Sequence, residues 1–156
     1  MSLKGLTMVY VQALLDTKYI KFIESKTKSD VLEELIQIID QSPNITNRDI
    51  FSKAVFKREA LMSTGIGLGI AIPHVKIPEV KDLTIAVGIS KHGVAWESLD
   101  GQPVHIVFLI AGSDDQHDQY LRTLSKIVLV LKNQSRREKI IAAENVETII
   151  QLFQNI

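Results

Sequence analysis

Three short runs of β-branched and aliphatic residues, Ile70-Ala-Ile72, Leu83-Thr-Ile-Ala-Val-Gly-Ile89 and Val104-His-Ile-Val-Phe-Leu-Ile110, limit the folds open to this chain more than any other feature. Runs of this length and composition read as buried strands. The sequence on either side has a different period. Leu32, Leu35, Ile36 and Ile39 recur at helical spacing after a start read at Asp30 with Glu33, and Pro43 ends that run. Thr46-Asn-Arg-Asp49 reads as a second capping box. It opens a helix with an apolar stripe of Ile50, Phe51, Ala54, Val55 and Leu61, and Arg58 lies on that stripe, facing inward. After Gly112-Ser-Asp-Asp115 a third helix carries Leu121, Leu124, Ile127, Val128 and Leu131. Ser135 with Glu138 marks a short fourth helix, and Asn145 opens a terminal one with Val146, Ile149, Ile150 and Phe153. The first 23 residues are ambiguous, although Lys18-Tyr-Ile-Lys-Phe-Ile23 alternates like a short strand. Helices on both sides of a central run of strands predict an α/β three-layer sandwich, a central mixed β-sheet flanked by helices on both faces.

Composition narrows what such a fold can do. The chain has 156 residues, 46% of them hydrophobic, and neither repeats nor a Gly/Ser/Pro linker divides it, so a single domain over 1–156 is expected. Its 18 Lys+Arg balance 18 Asp+Glu, which argues against nucleic acid or an anionic membrane as partner. The lack of cysteine removes disulfides, thiolate metal sites and a cysteine nucleophile from these residues. No apolar run approaches about 18 residues, so no membrane insertion is expected. The opening Met1-Ser-Leu-Lys-Gly-Leu-Thr7 lacks the pattern of a secretory signal, and a cytoplasmic location is expected.

Chemistry concentrates in Ser63-Thr-Gly-Ile-Gly-Leu-Gly-Ile-Ala-Ile-Pro-His74. A dinucleotide loop needs G-x-G-x-x-G between a strand and a helix; here the spacing is G-x-G-x-G, a helix precedes and a strand follows. His74, placed after Pro73 at a strand end, has two readings: a structural histidine, or a neutral imidazole presented as a nucleophile. Arg58 likewise is either half of a structural ion pair or an anion clamp. With Ser63, Thr64 and glycine N–H groups it would form an anion cradle beside His74. His92, before Gly93, reads as a solvated turn residue, and His105 as a hydrogen-bonded strand residue. The four histidines lack the spacing of a metal site.

Arg58-Glu59, Ser63-Thr-Gly-Ile-Gly67 and Gly69-Ile-Ala-Ile-Pro-His74 together resemble the fructose/mannitol-type (type 2) enzyme IIA domains of the bacterial phosphoenolpyruvate-dependent sugar phosphotransferase system. Asp100-Gly-Gln-Pro-Val-His-Ile-Val-Phe-Leu-Ile110 and Leu121-Arg-Thr-Leu-Ser125 extend the resemblance, which runs from about Leu14 to the C-terminus. It implies a phosphotransferase that works as a phosphohistidine carrier. His74 would accept a phosphoryl group from phosphorylated HPr and pass it to a sugar-specific IIB partner. Arg58 would hold the phosphoryl group, and neither metal nor organic cofactor would take part. Because the acceptor in such systems is usually a cysteine, the IIB partner is expected on another chain.

The resemblance has gaps. Members usually have a second histidine where Tyr120 stands, Asn where Leu68 stands and Gly where Val75 stands. Tyr120 shares a helical face with Leu124, Ile127 and Val128, so its ring points coreward; its hydroxyl joins Ser63 and Thr64 as a supporting phosphoryl contact. His117, one turn earlier, is either a partial substitute for the second histidine or an exposed loop residue. A regulatory domain, using phosphorylation or anion binding at the same site to control a partner without sugar transport, is the alternative function.

Overall fold

The structure is a computed structural model and describes residues 10–156; the opening residues 1–7, expected not to be a secretory signal, lie outside the described residues. In chain order the elements are α1 (Val11–Leu14), a 3₁₀ turn (Thr17–Tyr19), β1 (Ile20–Phe22), α2 (Lys28–Ile39), α3 (Arg48–Leu61), β2 (Gly65–Gly67), β3 (Ile70–Ala71), β4 (His74–Lys76), β5 (Thr84–Val94), β6 (Val104–Gly112), α4 (His117–Leu131), α5 (Gln134–Ala142) and α6 (Val146–Gln151). Six strands form one sheet in the order β1-β5-β6-β3-β2, with β4 also pairing with β6. β5 and β6 run antiparallel, as do β2 and β3, whereas β1 is parallel to β5 and both β3 and β4 are parallel to β6. The sheet is mixed, as expected.

Alternation along the two long strands divides the core. Ile85, Val87 and Ile89 with Ile106, Phe108 and Ile110 face Tyr120, Ile127 and Leu131 of α4, Ile140 of α5 and Ile149 of α6. Ala86, Val107, Leu109 and Ala111 face Leu32, Leu35, Ile36 and Ile39 of α2 and Phe51 and Val55 of α3. Both faces of the sheet are therefore dry, which explains the uninterrupted apolar runs of β5 and β6. The three-layer sandwich stands. Gly88 allows the α2 side to approach the sheet: a Cβ there would collide with Ile23 Cδ1 and crowd Leu35 at 3.1 Å.

Several local expectations move. The cap of α2 is Thr27, whose Oγ1 accepts from Asp30 N–H at 3.2 Å, and the cap of α3 is Asn47, not Thr46. Thr46 instead donates its hydroxyl to the Glu79 carbonyl. Asn133, not Ser135, caps α5, while Asn145 caps α6 as read. On α3, Ile50 and Leu61 are not core residues, being 44% and 76% exposed. Lys18–Tyr19 lie in the 3₁₀ turn, so the strand begins at Ile20. His92 and Gly93 belong to a kinked stretch of β5, with Gly93 at φ 83° and the register shifted between Ile89 and Val94. His105 bonds the Ser90 carbonyl through Nδ1 at 2.8 Å, as a sheet residue would.

A candidate active site around His74

His74 opens β4; it does not close β3 as the sequence suggested. Pro73 separates the two short strands, and its carbonyl accepts from Ile110 N–H at 2.9 Å. Parallel pairing of His74 with Ile110 then seats the ring near the C-terminal end of β6, and Tyr120 of α4 lies across it with ring centroids 6.1 Å apart. The imidazole is half-buried.

Its tautomer follows from one contact. Nδ1 lies 2.7 Å from the Ile72 carbonyl oxygen. A carbonyl can only accept, so Nδ1 carries the proton and the neutral ring has its lone pair on Nε2. Burial, the largest influence, pushes the pKa of His74 below its usual 6.5; the Ile72 carbonyl opposes that, the Arg58 charge adds to it, and the Glu59 charge opposes it. The neutral form therefore prevails near pH 7.

Arg58 is half-buried in the last turn of α3, and its Nη1 donates to the Met62 carbonyl at 2.8 Å, covering the end of its own helix. Its charge acts on His74 and also on Tyr120, opposing the burial that pushes the Tyr120 hydroxyl well above its ordinary pKa. Arg58 thus stands within electrostatic range of His74 and Tyr120, whose rings are the pair in direct proximity. At neutral pH Tyr120 is an uncharged group.

The expected cradle is not built. The Ser63 hydroxyl donates to the Trp96 carbonyl at 2.7 Å and accepts from Gly65 N–H, while the Thr64 hydroxyl donates to Glu59 Oε2 at 2.6 Å. Each hydroxyl has one proton, and both protons are engaged. The glycines form a hairpin: Gly67 pairs with Ile70 across a Leu68-Gly69 turn, at the stretch of β6 that starts with Ile106. His74 pairs four residues further along β6, about 13 Å away at 3.3 Å per residue. The glycine segment shapes the chain leading to His74 and does not surround its ring.

Sequence reasoning missed Glu59. Its side chain, 5% exposed, forms an ion pair with Lys28 at 2.7 Å and accepts from both the main-chain N–H and the hydroxyl of Thr64. Trp96 Nε1 reaches the Thr64 hydroxyl from the other side at 3.4 Å. A signal for it existed: Phe51, Val55 and Glu59 are four residues apart, so Glu59 continues the fully buried line of α3, whereas Arg58 follows half-buried Ala54. His117 is exposed at the start of α4, and its Nδ1 lies 2.6 Å from Lys76 Nζ. Lys76 is two residues from His74 on the same side of β4, so His117 reaches this end of the sheet by way of Lys76.

Comparison with known proteins agrees with this architecture. The family model described as phosphoenolpyruvate-dependent sugar phosphotransferase system, EIIA 2, matches residues 13–156. The fructose-specific EIIABC component of Bacillus subtilis (strain 168) is 40% identical over 131 residues, 84% of this chain and 21% of that protein, so the chain spans about a fifth of that relative's length. The fructose-specific EIIA component of Haloferax volcanii is 30% identical over 130 residues, 83% of this chain and 84% of that one. Among solved structures, nitrogen regulatory protein IIA-Ntr from Neisseria meningitidis superposes with a TM-score of 0.86 at 26% identity, covering 92% of this chain and 98% of its own. No helix among the described residues is long and apolar enough to cross a membrane. The chain belongs to the EIIA 2 family of the phosphoenolpyruvate-dependent sugar phosphotransferase system, whose domains transfer phosphoryl groups.

Proposed function

We propose that this protein is a phosphohistidine carrier that takes a phosphoryl group from phosphorylated HPr onto His74 Nε2 and passes it to a cysteine of a sugar-specific IIB partner. One observation carries the reading: the Ile72 carbonyl holds the Nδ1 proton of a neutral, half-buried His74, leaving the lone pair on Nε2, with the Arg58 charge near enough to act on the ring. In the loading step the N–P bond of the donor phosphohistidine breaks, its electron pair returns to the donor imidazole, and His74 Nε2 forms the new N–P bond. The Nδ1 proton stays in place. The phosphorylated ring is then cationic, with its N–H on the Ile72 carbonyl, which makes the ring a good leaving group when a IIB thiolate attacks phosphorus. The transition state is loose, so alignment and charge do most of the catalysis. Arg58 supplies the charge and the Tyr120 hydroxyl a supporting contact. Ser63 and Thr64 act one step back, as parts of the frame. The acceptor cysteine lies outside these 156 residues, which contain none. The working location proposed is the cytoplasm.

Incubation with phosphorylated HPr should give an acid-labile, alkali-stable phosphoprotein, and His74→Ala should abolish it. Label retained on that variant overturns the assignment. The likeness to a nitrogen regulatory protein favours a second reading, in which phosphorylation of His74 controls a partner and no sugar is moved. Phosphate flow from this chain to a IIB cysteine excludes a purely regulatory role.

A further inference from the structure

A continuous series of hydrogen bonds runs from a buried carboxylate to the proposed nucleophile. His74 Nδ1–H donates to the Ile72 carbonyl at 2.7 Å, Ile72 N–H donates to the Thr64 carbonyl at 3.0 Å, and Thr64 N–H donates to Glu59 Oε1 at 3.1 Å. We propose that Glu59 is the positioning residue of His74, fixing through the main chain of Thr64 and Ile72 the carbonyl that selects the Nδ1–H tautomer.

Each link has a physical reason. Thr64 begins the descent into β2, and two bonds from its N–H and hydroxyl clamp it to one carboxylate. The Thr64 carbonyl then pins Ile72 across the foot of the β2–β3 hairpin. Pro73 has no N–H and a fixed φ, so the chain between Ile72 and His74 has little freedom to lose the Nδ1 contact. Lys28 fixes the other end of the series by holding Glu59 at 2.7 Å. A neutral imidazole with no directed partner exchanges its two tautomers; a carbonyl held in place by this frame allows one. Glu59 also acts through space, since its charge raises the proton affinity of His74 against the opposing effects of burial and Arg58. The other groups around the ring are Tyr120 of α4, which is neutral, Lys76 further along β4, and His117 at the start of α4, and none of them bonds His74 Nδ1.

The kinetic value of this arrangement rests on the carrier function proposed above, but its test does not. Nitrogen-detected NMR of the unphosphorylated 156-residue protein reads the tautomer and titration midpoint of His74 directly. In Glu59→Gln, where Thr64 can still donate to the amide oxygen, the midpoint should fall because a favourable negative charge is gone. In Glu59→Ala, where the clamp itself is gone, a second, Nε2–H tautomer should appear. Thr64→Val keeps its main-chain N–H, so it should melt earlier yet retain the single tautomer, separating positioning from stability. A folded Glu59→Ala with the wild-type tautomer overturns the proposal. If that variant does not fold, Glu59→Asp, whose carboxylate is one methylene short of the Thr64 N–H, takes its place, and the single wild-type tautomer there overturns the proposal. If phosphate fails to go to His74 while these shifts occur, the carrier reading falls and the positioning role stands.

Discussion

The two approaches to His74 are built differently. On the α3 side, Glu59, Thr64, Ser63 and Trp96 are bonded to one another or to Lys28, and Glu59, Thr64 and Trp96 are buried. On the β4–α4 side, His74 is half-buried and bonded through Nδ1, Lys76 is half-buried, and His117 is exposed. Arg58 stands at the border, bonded through Nη1 to the carbonyl of exposed Met62 while its charge reaches the His74 ring. The contrast teaches a division of labour. A saturated polar network in a dry setting is rigid, because each unmade bond there is expensive. A group that exchanges phosphorus with visiting proteins, the role proposed for His74, cannot be saturated. Changes on the first side should therefore appear in stability, and changes on the second in chemistry.

The largest expected effect tests the border residue. Arg58→Gln should slow phosphoryl acceptance about 100- to 1,000-fold, the range for removing one preorganised charge or donor, equivalent to roughly 2.7–4 kcal/mol. Since the guanidinium holds the His74 pKa down, its loss should raise the NMR titration midpoint of that ring. The melting temperature should fall by only a few degrees, for the lost bond to Met62. A variant that melts much earlier but transfers phosphate normally would place Arg58 in the frame. Lys28→Met tests the opposite side. It leaves the Glu59 carboxylate buried without its cation, and because Lys28 is itself 20% exposed the low end of the buried-pair range applies, about 3 kcal/mol. For a domain of this size that is a drop of roughly 6–12 °C by calorimetry. An unchanged melt would mean that the network is not what holds this side together.

How much of this was legible in the sequence follows from the range of each interaction. The layers were, because the β-branched apolar runs of β5 and β6 and the 3.6-residue period of α2 and α4 are local signals repeated many times. Caps were displaced by one to three residues: Thr27 and Asp30, or Thr46 and Asn47, are chemically similar oxygens, and only the backbone angle at each decides which one reaches the free N–H. His74 was legible through its motif as the candidate proposed above for the reacting group, and Arg58 as a candidate through its place on α3. The roles of Ser63 and Thr64 were not. A hydroxyl beside a histidine looks the same whether it faces a ligand or a wall, and the Trp96 carbonyl that captures Ser63 is 33 residues away. Glu59 was hidden by its neighbour, since adjacent helical residues point about 100° apart and Arg58 lies on a second, less buried line of the same helix.

The smallest effect concerns a strained point on the frame. Leu68 sits at φ 59°, followed by Gly69 at φ 76°, in the two-residue turn between β2 and β3. Two left-handed residues make a turn that suits the twist of the flanking strands, and its first position favours Asn or Asp. A leucine there suffers the clash of Cβ with the backbone, roughly 1–2 kcal/mol, and its side chain, 52% exposed, recovers little by burial. Asp100 offsets part of the strain by accepting from Leu68 N–H at 3.0 Å, and the bonds it accepts from Gln102 and Leu68 hold its own carboxyl below the usual pKa. Leu68→Asn should relieve about half the penalty, so a gain of about 0.5–1 kcal/mol, or roughly 1–4 °C in the melt, is expected. Phosphoryl acceptance by His74 should not change, because the turn lies some 13 Å along β6 from the ring. A stability gain with altered transfer would show that the exposed leucine touches the incoming partner, and the frame and the reacting surface would then meet at this hairpin as well as at Arg58.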